Sequence, residues 1–425
     1  MCGHRSRALR SRGASKGAST IQGRLKGLLA AGVLSAAVAW ADGEPGLDGG
    51  SVIELDAGVT AAAETQRFDL VPLPALGYDS QQGLIFGANI GLYWRAPGFA
   101  PYQYALSALV LFTTFGGQDH RLQFTAPDFL GSKYRPSILF GFSRELVRNF
   151  YGIGNTVTLI ADDDRRIANQ YYAYQFTSWY GALDVERKLS GYWKVGARYQ
   201  LRTLDTRLYA GSLLEAMRPD AARFLINSEL QADVVYDSRD QEASPTKGIF
   251  AQLSMRASHA ALGSQINYLG GLAEIRAFYS PFNIGPRLVL ATRLLFDVIG
   301  GDVPVALLPT FSGRTHYLDG LGGANSVRGL LRFQYVGKMK ALGNLEVRSR
   351  LIRFNLFARP FDIWAVAFVD VGRAWAELKH EGKVDLHPSF GGGIRLAYVD
   401  DFVFRVDYGF GEGHQALAVV IEQLF

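Results

Sequence analysis

The twelve residues GLIFGANIGLYW, from Gly83 to Trp94, change character at every second position. One set of alternate positions is apolar throughout: Leu84, Phe86, Ala88, Ile90, Leu92 and Trp94. The other set is mostly small or polar, with three glycines and an asparagine. Successive side chains of a β-strand point to opposite faces, so the pattern predicts a strand with one apolar face. Such a strand fits either a soluble sandwich or a membrane barrel whose apolar face points outward.

The same alternation continues from residue 67 to residue 425, in short segments separated by Gly, Asp, Asn and Pro. The chain has 48 glycines, and aromatics make up 12% of it and often lie near strand ends, as in Tyr93-Trp94. Aromatic girdles of this kind mark the membrane surfaces of a barrel. The polar strand faces also carry charges, such as Arg405 and Asp407, which a water-filled lumen accepts and a dry core does not. These features favour the membrane barrel.

The length of the alternating region sets the size of the predicted barrel. Residues 67–425 are enough for sixteen strands of about 10 residues, with about 12 residues for each connection. Bacterial barrels have an even number of strands. The predicted fold class is therefore all-β, a transmembrane antiparallel β-barrel of about 16 strands over residues 67–425.

The N-terminal part of the chain has a different composition. The first 41 residues contain seven basic and no acidic side chains, then the apolar run GLLAAGVLSAAVAW and the small-residue site Ala39-Trp40-Ala41. This order is typical of a secretory signal peptide, residues 1–41, and the apolar run is shorter than the roughly 20 residues of a membrane-spanning helix. Residues 42–66 are rich in Gly, Ala and acidic side chains without periodicity, which predicts a flexible periplasmic linker.

Charge and cysteine content exclude several classes of protein. The full chain has a net charge of +5 and a pI near 9.1. Loss of the predicted leader removes seven of the 44 basic residues, which leaves 37 against 39 acidic residues, so no nucleic-acid partner is expected. The only cysteine, Cys2, lies in the same leader, so the mature chain is expected to have no disulfide and no reactive thiolate.

A series of short motifs runs through the second half of the predicted barrel. A turn motif in YDSRDQEASPTKGIF consists of Asp237, Arg239, Asp240, Pro245 and Gly248. Further along, SVRGL, NLEVR and FVDVGRAW contribute Val327, Arg328, Gly329, Glu346 and Asp370, and the chain ends on Phe425. In this order the motifs resemble those of the BamA/TamA family of outer-membrane proteins, also called bacterial surface antigens. NFYGIGN, residues 149–155, is similar to a motif of its shorter members.

The resemblance implies a sixteen-stranded barrel that inserts proteins into, or moves them across, the bacterial outer membrane. It also implies that a long sixth extracellular loop folds back into the barrel, where Arg328 reaches Asp370 and Glu346 and locks the loop to the wall, with Val327 and Gly329 beside it. A guanidinium suits this role because it stays charged and binds a carboxylate through two parallel hydrogen bonds. Considered without the family, Arg328 would be an ordinary solvated loop arginine.

The same resemblance gives the turn motif a role as a short connection, and Phe425 a role as the signal that closes the barrel. The sequence departs from the family where Leu330 replaces an aromatic residue and where Gln423 stands near the end. Residues 42–66 are also too few for the periplasmic POTRA domains of larger members, since a domain needs at least about 50 residues. The chain is therefore identified as a short member that lacks them, and client capture would need a periplasmic partner.

No enzymatic, metal or cofactor site is predicted. The string G-x-S-x-G at residues 13–17 lies in the leader, and His316 and Asp319 lack the spacing of a catalytic triad. The other histidines are scattered without H-E-x-x-H spacing. The acidic run ADDDRR, residues 161–166, can supply oxygen ligands to a divalent cation, although a solvated loop is the simpler interpretation.

Two functions remain open at this point. In the first, clients enter the outer membrane through a lateral seam between the first strand, interpreted as Gly83–Trp94, and the last, Ala416–Phe425, by pairing with an exposed edge. In the second, the protein is a passive outer-membrane channel or structural barrel without assembly activity, and lumen charges set its selectivity. The expected partners are outer-membrane lipids and, in the first case, unfolded outer-membrane proteins and a periplasmic partner.

Overall fold

The computed structural model describes residues 67–79, 81–97, 102–127, 129–155, 157, 170–241, 244–281, 287–312, 317–356, 359–378, 385–398 and 402–421. The predicted signal peptide 1–41, linker 42–66, acidic run 161–166 and terminal Phe425 lie outside the described residues and stay predictions. His316 does as well.

Eighteen strands are present among the described residues. They are β1 (Arg67–Asp79), β2 (Gly83–Arg95), β3 (Tyr104–Thr113), β4 (Gln118–Thr125), β5 (Tyr134–Asn149), β6 (Ala173–Lys188), β7 (Trp193–Leu208), β8 (Phe224–Asp237), β9 (Gly248–Ser258), β10 (Tyr268–Tyr279), β11 (Leu288–Gly301), β12 (Thr310–Ser312), β13 (Tyr317–Asp319), β14 (Met339–Leu356), β15 (Arg359–Trp375), β16 (His387–Tyr398), β17 (Phe402–Gly411) and β18 (His414–Ile421). A short helix, α1 (Leu213–Met217), lies between β7 and β8. In the described part of the chain, no helix has the length and hydropathy needed to cross a bilayer.

Sixteen of these strands close into one antiparallel barrel, in which neighbours in sequence are neighbours in space. β12 and β13 form a separate two-stranded sheet within the connection from β11 to β14. β18 pairs with β1 and so closes the barrel. The prediction of an all-β antiparallel barrel of about 16 strands is confirmed.

The two faces of the strands follow the alternation seen in the sequence. On β14 and β15, Leu345 and Val369 point outward and are 50% and 52% exposed, whereas Glu346 and Asp370 point inward and are fully buried. Large apolar side chains are exposed on the outer face all around the barrel, and the buried charges lie on the inner face. An exterior covered with large apolar side chains is stable only in lipid. The distribution of apolar and charged side chains therefore matches a membrane barrel rather than a sandwich.

The first strand is not the one predicted from the sequence. Gly83–Trp94 lies in β2, and β1 precedes it with the sequence RFDLVPLPALGYD. β1 was missed because Pro72 and Pro74 interrupt its alternation, and a proline inside a run argues against a central strand. β1 is compatible with these prolines because it lies at the place where the barrel closes.

The closing ladder is much shorter than its neighbours. β1 pairs with β2 through thirteen consecutive residues, from Arg67 to Asp79. Among the described residues it pairs with β18 through only two, Tyr78 with Val419 and Asp79 with Ala418. We call this β1–β18 junction the seam.

The described parts of the connection between β11 and β14, residues 302–312 and 317–338, return into the barrel, and we call them the inserted loop. Its side chains Phe311, Leu321, Val327 and Leu330 are almost completely buried. They form one apolar cluster with wall residues that include Leu272, Leu295 and Leu342. The loop is therefore packed against the inner wall, as the sequence resemblance predicts.

Candidate functional site

The inserted loop meets the wall most closely at Arg328. Its Nε and Nη2 donate to the two carboxylate oxygens of Asp370 on β15, both at 2.8 Å, and its backbone N–H donates to the same carboxylate at 3.0 Å. Its Nη1 donates to Glu346 Oε1 on β14 at 2.5 Å and to Asp407 Oδ2 on β17 at 3.3 Å. One loop arginine thus connects three strands of the wall.

The aromatic ring of Phe368 lies against the guanidinium group of this arginine. The guanidinium carbon of Arg328 lies 3.5 Å from the centroid of the Phe368 ring, and both side chains are buried. A planar cation over an aromatic face gains electrostatic attraction from the ring quadrupole. Phe368 therefore contributes an aromatic contact from the wall, in a chain whose loop motif carries Leu330 in place of an aromatic residue.

The wall carboxylates also bind wall arginines. Arg348 Nε donates to Glu346 Oε2 at 2.8 Å, and Arg395 Nη1 donates to Asp407 Oδ1 at 2.5 Å. Arg405 Nη1 donates to Asp407 Oδ2 at 3.0 Å. Buried charges are stable only when they are paired, so these contacts hold the carboxylates in place for Arg328.

Burial by itself disfavours the charged form of Arg328. The carboxylates of Asp370 and Glu346 outweigh that effect and raise its pKa above the ordinary value. The guanidinium therefore stays protonated at any pH the protein meets, and the contact does not depend on titration of the arginine.

Further hydrogen bonds hold the loop backbone around Arg328. Asn344 Nδ2 donates to the carbonyl of Ser326 at 2.8 Å and to Asp370 Oδ1 at 2.7 Å. Arg293 Nη2 donates to the carbonyl of Asn325 at 2.9 Å. Arg405 Nη1 donates to the carbonyl of Ala324 at 3.0 Å. Residues 324–328 are thus bound to the wall through their main chain as well as through the arginine.

Glycines on both sides permit this close approach. Gly329 has φ +94°, and a Cβ there would lie 2.6 Å from the backbone nitrogen of Phe410. On the facing strand, a Cβ at Gly409 would lie 2.8 Å from the backbone nitrogen of Gly329. At Gly372, a Cβ would lie 2.8 Å from Val327 Cγ2. Gly329 therefore adopts the left-handed backbone that glycine favours. It also lies against a part of the wall where glycines leave room for the loop backbone.

The inserted loop also contacts the hairpin on the β1 side of the seam. Gln81, in the turn between β1 and β2, accepts from the backbone N–H of Arg332 at 2.9 Å. The same oxygen accepts from Asn149 Nδ2 at 2.6 Å. Arg332 Nη1 in turn donates to Glu145 on β5 at 2.8 Å. The loop is thereby connected to the first hairpin of the barrel.

Three residues further along, the loop contacts the hairpin on the β18 side. Tyr335 donates to Glu412 Oε2 at 2.5 Å, and Gln334 Nε2 donates to the same oxygen at 3.1 Å. Glu412 lies in the turn between β17 and β18 and also bonds to His387 Nδ1, whose ring stacks on Tyr335 at 3.7 Å. Residues 332–335 therefore bridge the two hairpins that flank the seam.

Phe333, in the middle of this bridge, has an unusual backbone. Its φ is +60°, which is a strained, left-handed conformation for a bulky side chain. The ring is fully buried between the guanidinium groups of Arg148, 5.0 Å from the ring centroid, and Arg332, at 4.3 Å. Strain of this kind persists only where the surrounding contacts enforce it.

The predicted turn motif forms a compact connection between β8 and β9, away from Arg328 in sequence. Arg239 donates to both carboxylate oxygens of Asp237, at 2.8 and 2.9 Å, and lies over the ring of Phe250. Pro245 is buried, and Gly248 has φ +104° with no room for a Cβ beside the carbonyl of Ser238. The carboxylate of Asp240 accepts from the backbone N–H groups of Gln241, Thr246 and Lys247.

The structure brings Arg328, Asp370, Glu346, Val327 and Gly329 together in one contact, and it holds the turn motif in another place. The sequence did not indicate Asn344, Phe368 or Gly409 as parts of the contact. The sequence predicts Arg405 and Asp407 only as lumen charges. Among the described residues, no group of three His, Cys, Asp or Glu side chains is arranged to hold a metal ion.

Comparisons with known proteins agree with this architecture. A family model described as the Omp85 superfamily domain matches residues 103–415. The fold is similar to that of BamA from Haemophilus ducreyi lacking POTRA domains 1–3, with a TM-score of 0.56 and 15% identity over 84% of this chain and 70% of that chain. It is also similar to CdiB from Escherichia coli, with a TM-score of 0.50 and 12% identity over 85% of this chain and 68% of that chain.

At these identities the structural matches show the fold alone, and no curated protein matches the sequence. The predicted resemblance to the BamA/TamA family is confirmed by the family model together with the BamA-like fold. That model covers well over half of the chain, so this protein belongs to the Omp85 superfamily.

Proposed function

We propose that this protein assembles or translocates outer-membrane proteins by opening the β1–β18 seam to lipid. Superfamily membership and the fold shared with BamA and CdiB support a role of this kind in the bacterial outer membrane. The observation that carries the proposal is the seam itself, where β1 forms, within the part of the chain that the structure describes, two residue pairs with β18 against thirteen with β2. Opening the barrel there breaks fewer ladder contacts than separating β1 from β2.

Strand addition explains how an open seam acts on a client. Separated edges expose unpaired N–H and C=O groups, each costing several kcal/mol when left unsatisfied in hydrocarbon. An unfolded outer-membrane barrel satisfies them by pairing one of its own strands with the edge. The clients are therefore barrel proteins, the surroundings are outer-membrane lipids, and a periplasmic partner delivers the clients. No cofactor and no catalytic step is needed.

The inserted loop controls the seam in this proposal. Arg328 locks the loop to β14, β15 and β17 through Glu346, Asp370 and Asp407. The locked loop then holds both seam hairpins through residues 332–335. Loosening the lock frees the hairpins to separate. The same packed loop argues against a passive open channel at this depth, because the wall arginines beneath it are buried.

The test is the folding rate of a urea-unfolded outer-membrane barrel in liposomes that contain this protein. A disulfide between Tyr78→Cys and Val419→Cys closes the seam, because directly opposed ladder residues have Cα atoms about 5.5 Å apart, within disulfide range. We expect at least tenfold faster folding than in empty liposomes. We also expect oxidation of the cysteine pair to abolish the acceleration and reduction to restore it.

A second cysteine pair, Leu345→Cys with Val369→Cys, is the matched control. These residues are also directly opposed, but they join β14 to β15, away from the seam. Their disulfide should leave the acceleration unchanged. Equal loss of activity with both disulfides would contradict opening at the seam, and absence of acceleration in vesicles that conduct ions would favour the passive channel.

A further inference from the structure

The hydrogen bonds between β2 and the residue that follows β3 show which backbone groups of β1 point toward β2 and which point toward the seam. Leu84 donates its N–H to the side chain of Thr114, and its carbonyl accepts from the N–H of Thr114, just beyond β3. Leu84 therefore directs its backbone groups toward β3. Its neighbour Gly83, one residue earlier, directs them toward β1, because successive residues of a strand bond to opposite sides.

The unbroken register between β1 and β2 carries this assignment along the whole first strand. Asp79 pairs with Gly83 and Tyr78 with Leu84, without a bulge down to Arg67. Asp79 and the other odd-numbered residues of β1 thus bond to β2. Tyr78 and the other even-numbered residues direct their backbone groups toward the seam.

Pro72 and Pro74 are among the even-numbered residues. Both prolines are exposed, in line with their position on the outer face. A proline has no N–H to donate, so two successive hydrogen-bonding positions on the β1 edge offer a carbonyl but no donor. The seam-facing donors that β1 retains are split into two groups, Phe68 and Leu70 on one side and Leu76 and Tyr78 on the other.

The opposite edge has no such gap. Tyr78 pairs with Val419, so the odd-numbered residues of β18 direct their backbone groups toward the seam. In the described part of β18 these are Gln415, Leu417, Val419 and Ile421, and each has an N–H to donate. When the seam opens, β18 presents four successive seam-facing residues with both a donor and an acceptor.

We propose that β18, and not β1, is the edge that accepts a client strand in this protein. A strand paired across Pro72 and Pro74 leaves two of its own carbonyls without donors in hydrocarbon, whereas a strand paired with β18 leaves none opposite residues 415–421. The inference rests on the proposed function and names the surface that performs it.

The occupant that fits this edge is an extended segment of an unfolded outer-membrane barrel. All ladders of the barrel are antiparallel, so the segment pairs with β18 in that orientation. Leu417 is 40% exposed on the outer face, in line with the apolar belt, so the accepted strand continues that belt with apolar side chains at alternate positions. Its inward side chains then face the lumen.

Disulfide cross-linking tests the choice of edge, because the described residues include no native cysteine. The matched positions are Leu417→Cys on β18 and Leu70→Cys on β1, both exposed leucines whose backbone groups face the seam. The probe is a urea-unfolded eight-stranded outer-membrane barrel that carries single cysteines along its last strand, added to each variant in liposomes under copper-phenanthroline oxidation. Heat-dependent gel mobility shows that both variants are folded.

We expect at least tenfold more cross-linked product with Leu417→Cys than with Leu70→Cys. In the Leu70→Cys chain, replacement of both prolines by alanine should raise the yield, because the two donors return. Equal or greater yield with Leu70→Cys in the proline-containing chain overturns the inference and leaves the proposed function standing. If neither cysteine position gives a cross-linked product, the inference and the proposed function are both overturned. If Leu417→Cys forms dimers in place of client adducts, the inference is overturned and the edge is assigned to a second copy of this chain.

Discussion

Replacement of Arg328 by alanine should release the inserted loop while leaving the barrel folded. Glu346 keeps Arg348, and Asp407 keeps Arg395, so the charge that loses its main partner is Asp370. Breaking one buried ion pair in this way costs about 3–5 kcal/mol, and we take about 3 kcal/mol because Asn344 still donates to Asp370. A loss of about 3 kcal/mol raises the population of the released loop about 100-fold.

Limited trypsin digestion measures that population, because cleavage after Arg332 requires the loop to leave its buried position. Arg218→Ala is the matched control, since Arg218 binds Asp220 with the same two-pronged geometry, at 2.9 and 2.8 Å, but on the exposed surface. The Arg328 variant should be cut about 100 times faster at Arg332, and the control at the wild-type rate. Unchanged cleavage in the Arg328 variant would refute the idea that this arginine locks the loop.

Three further predictions concern single contacts. Gly329→Ala forces a Cβ into the β17 backbone at φ +94°, so the same digestion should accelerate by at least tenfold while the thermal unfolding of the barrel stays unchanged. Burial raises the pKa of Glu412, but the contacts with His387 and Tyr335 outweigh that effect and hold the pKa below its usual range. Their contribution to stability is present above the ordinary glutamate pKa and is lost as pH falls through the lowered value. Peptic cleavage of the inserted loop should therefore rise more steeply as the pH falls through this range than it does in the Glu412→Gln chain, whose side chain cannot ionise. Asp240→Ala removes the acceptor for three backbone N–H groups and should lower the unfolding free energy by about 1–2 kcal/mol in urea titration, without any change in loop cleavage.

Much of the fold could be predicted from local patterns. The alternation in Gly83–Trp94 and in the segments after it follows from the two faces of a strand, and lumen charges such as Arg405 and Asp407 indicated which face points inward. Two prolines concealed β1, because local chemistry alone cannot show that a strand lies at a closing edge. The motif resemblance identified Arg328, Asp370 and Glu346, which do meet.

The sequence by itself determined the alternating strands other than β1, their inward and outward faces, and the residue types able to form a buried ion pair, because these depend on neighbours along the chain. Only the tertiary structure decided that Asn344, Phe368 and Gly409 complete the contact around Arg328, since they come from three different strands. It also decided that residues 332–335 span the seam and that the missing donors of β1 face it. These relations depend on barrel closure and register, which join residues far apart in sequence and leave no local pattern.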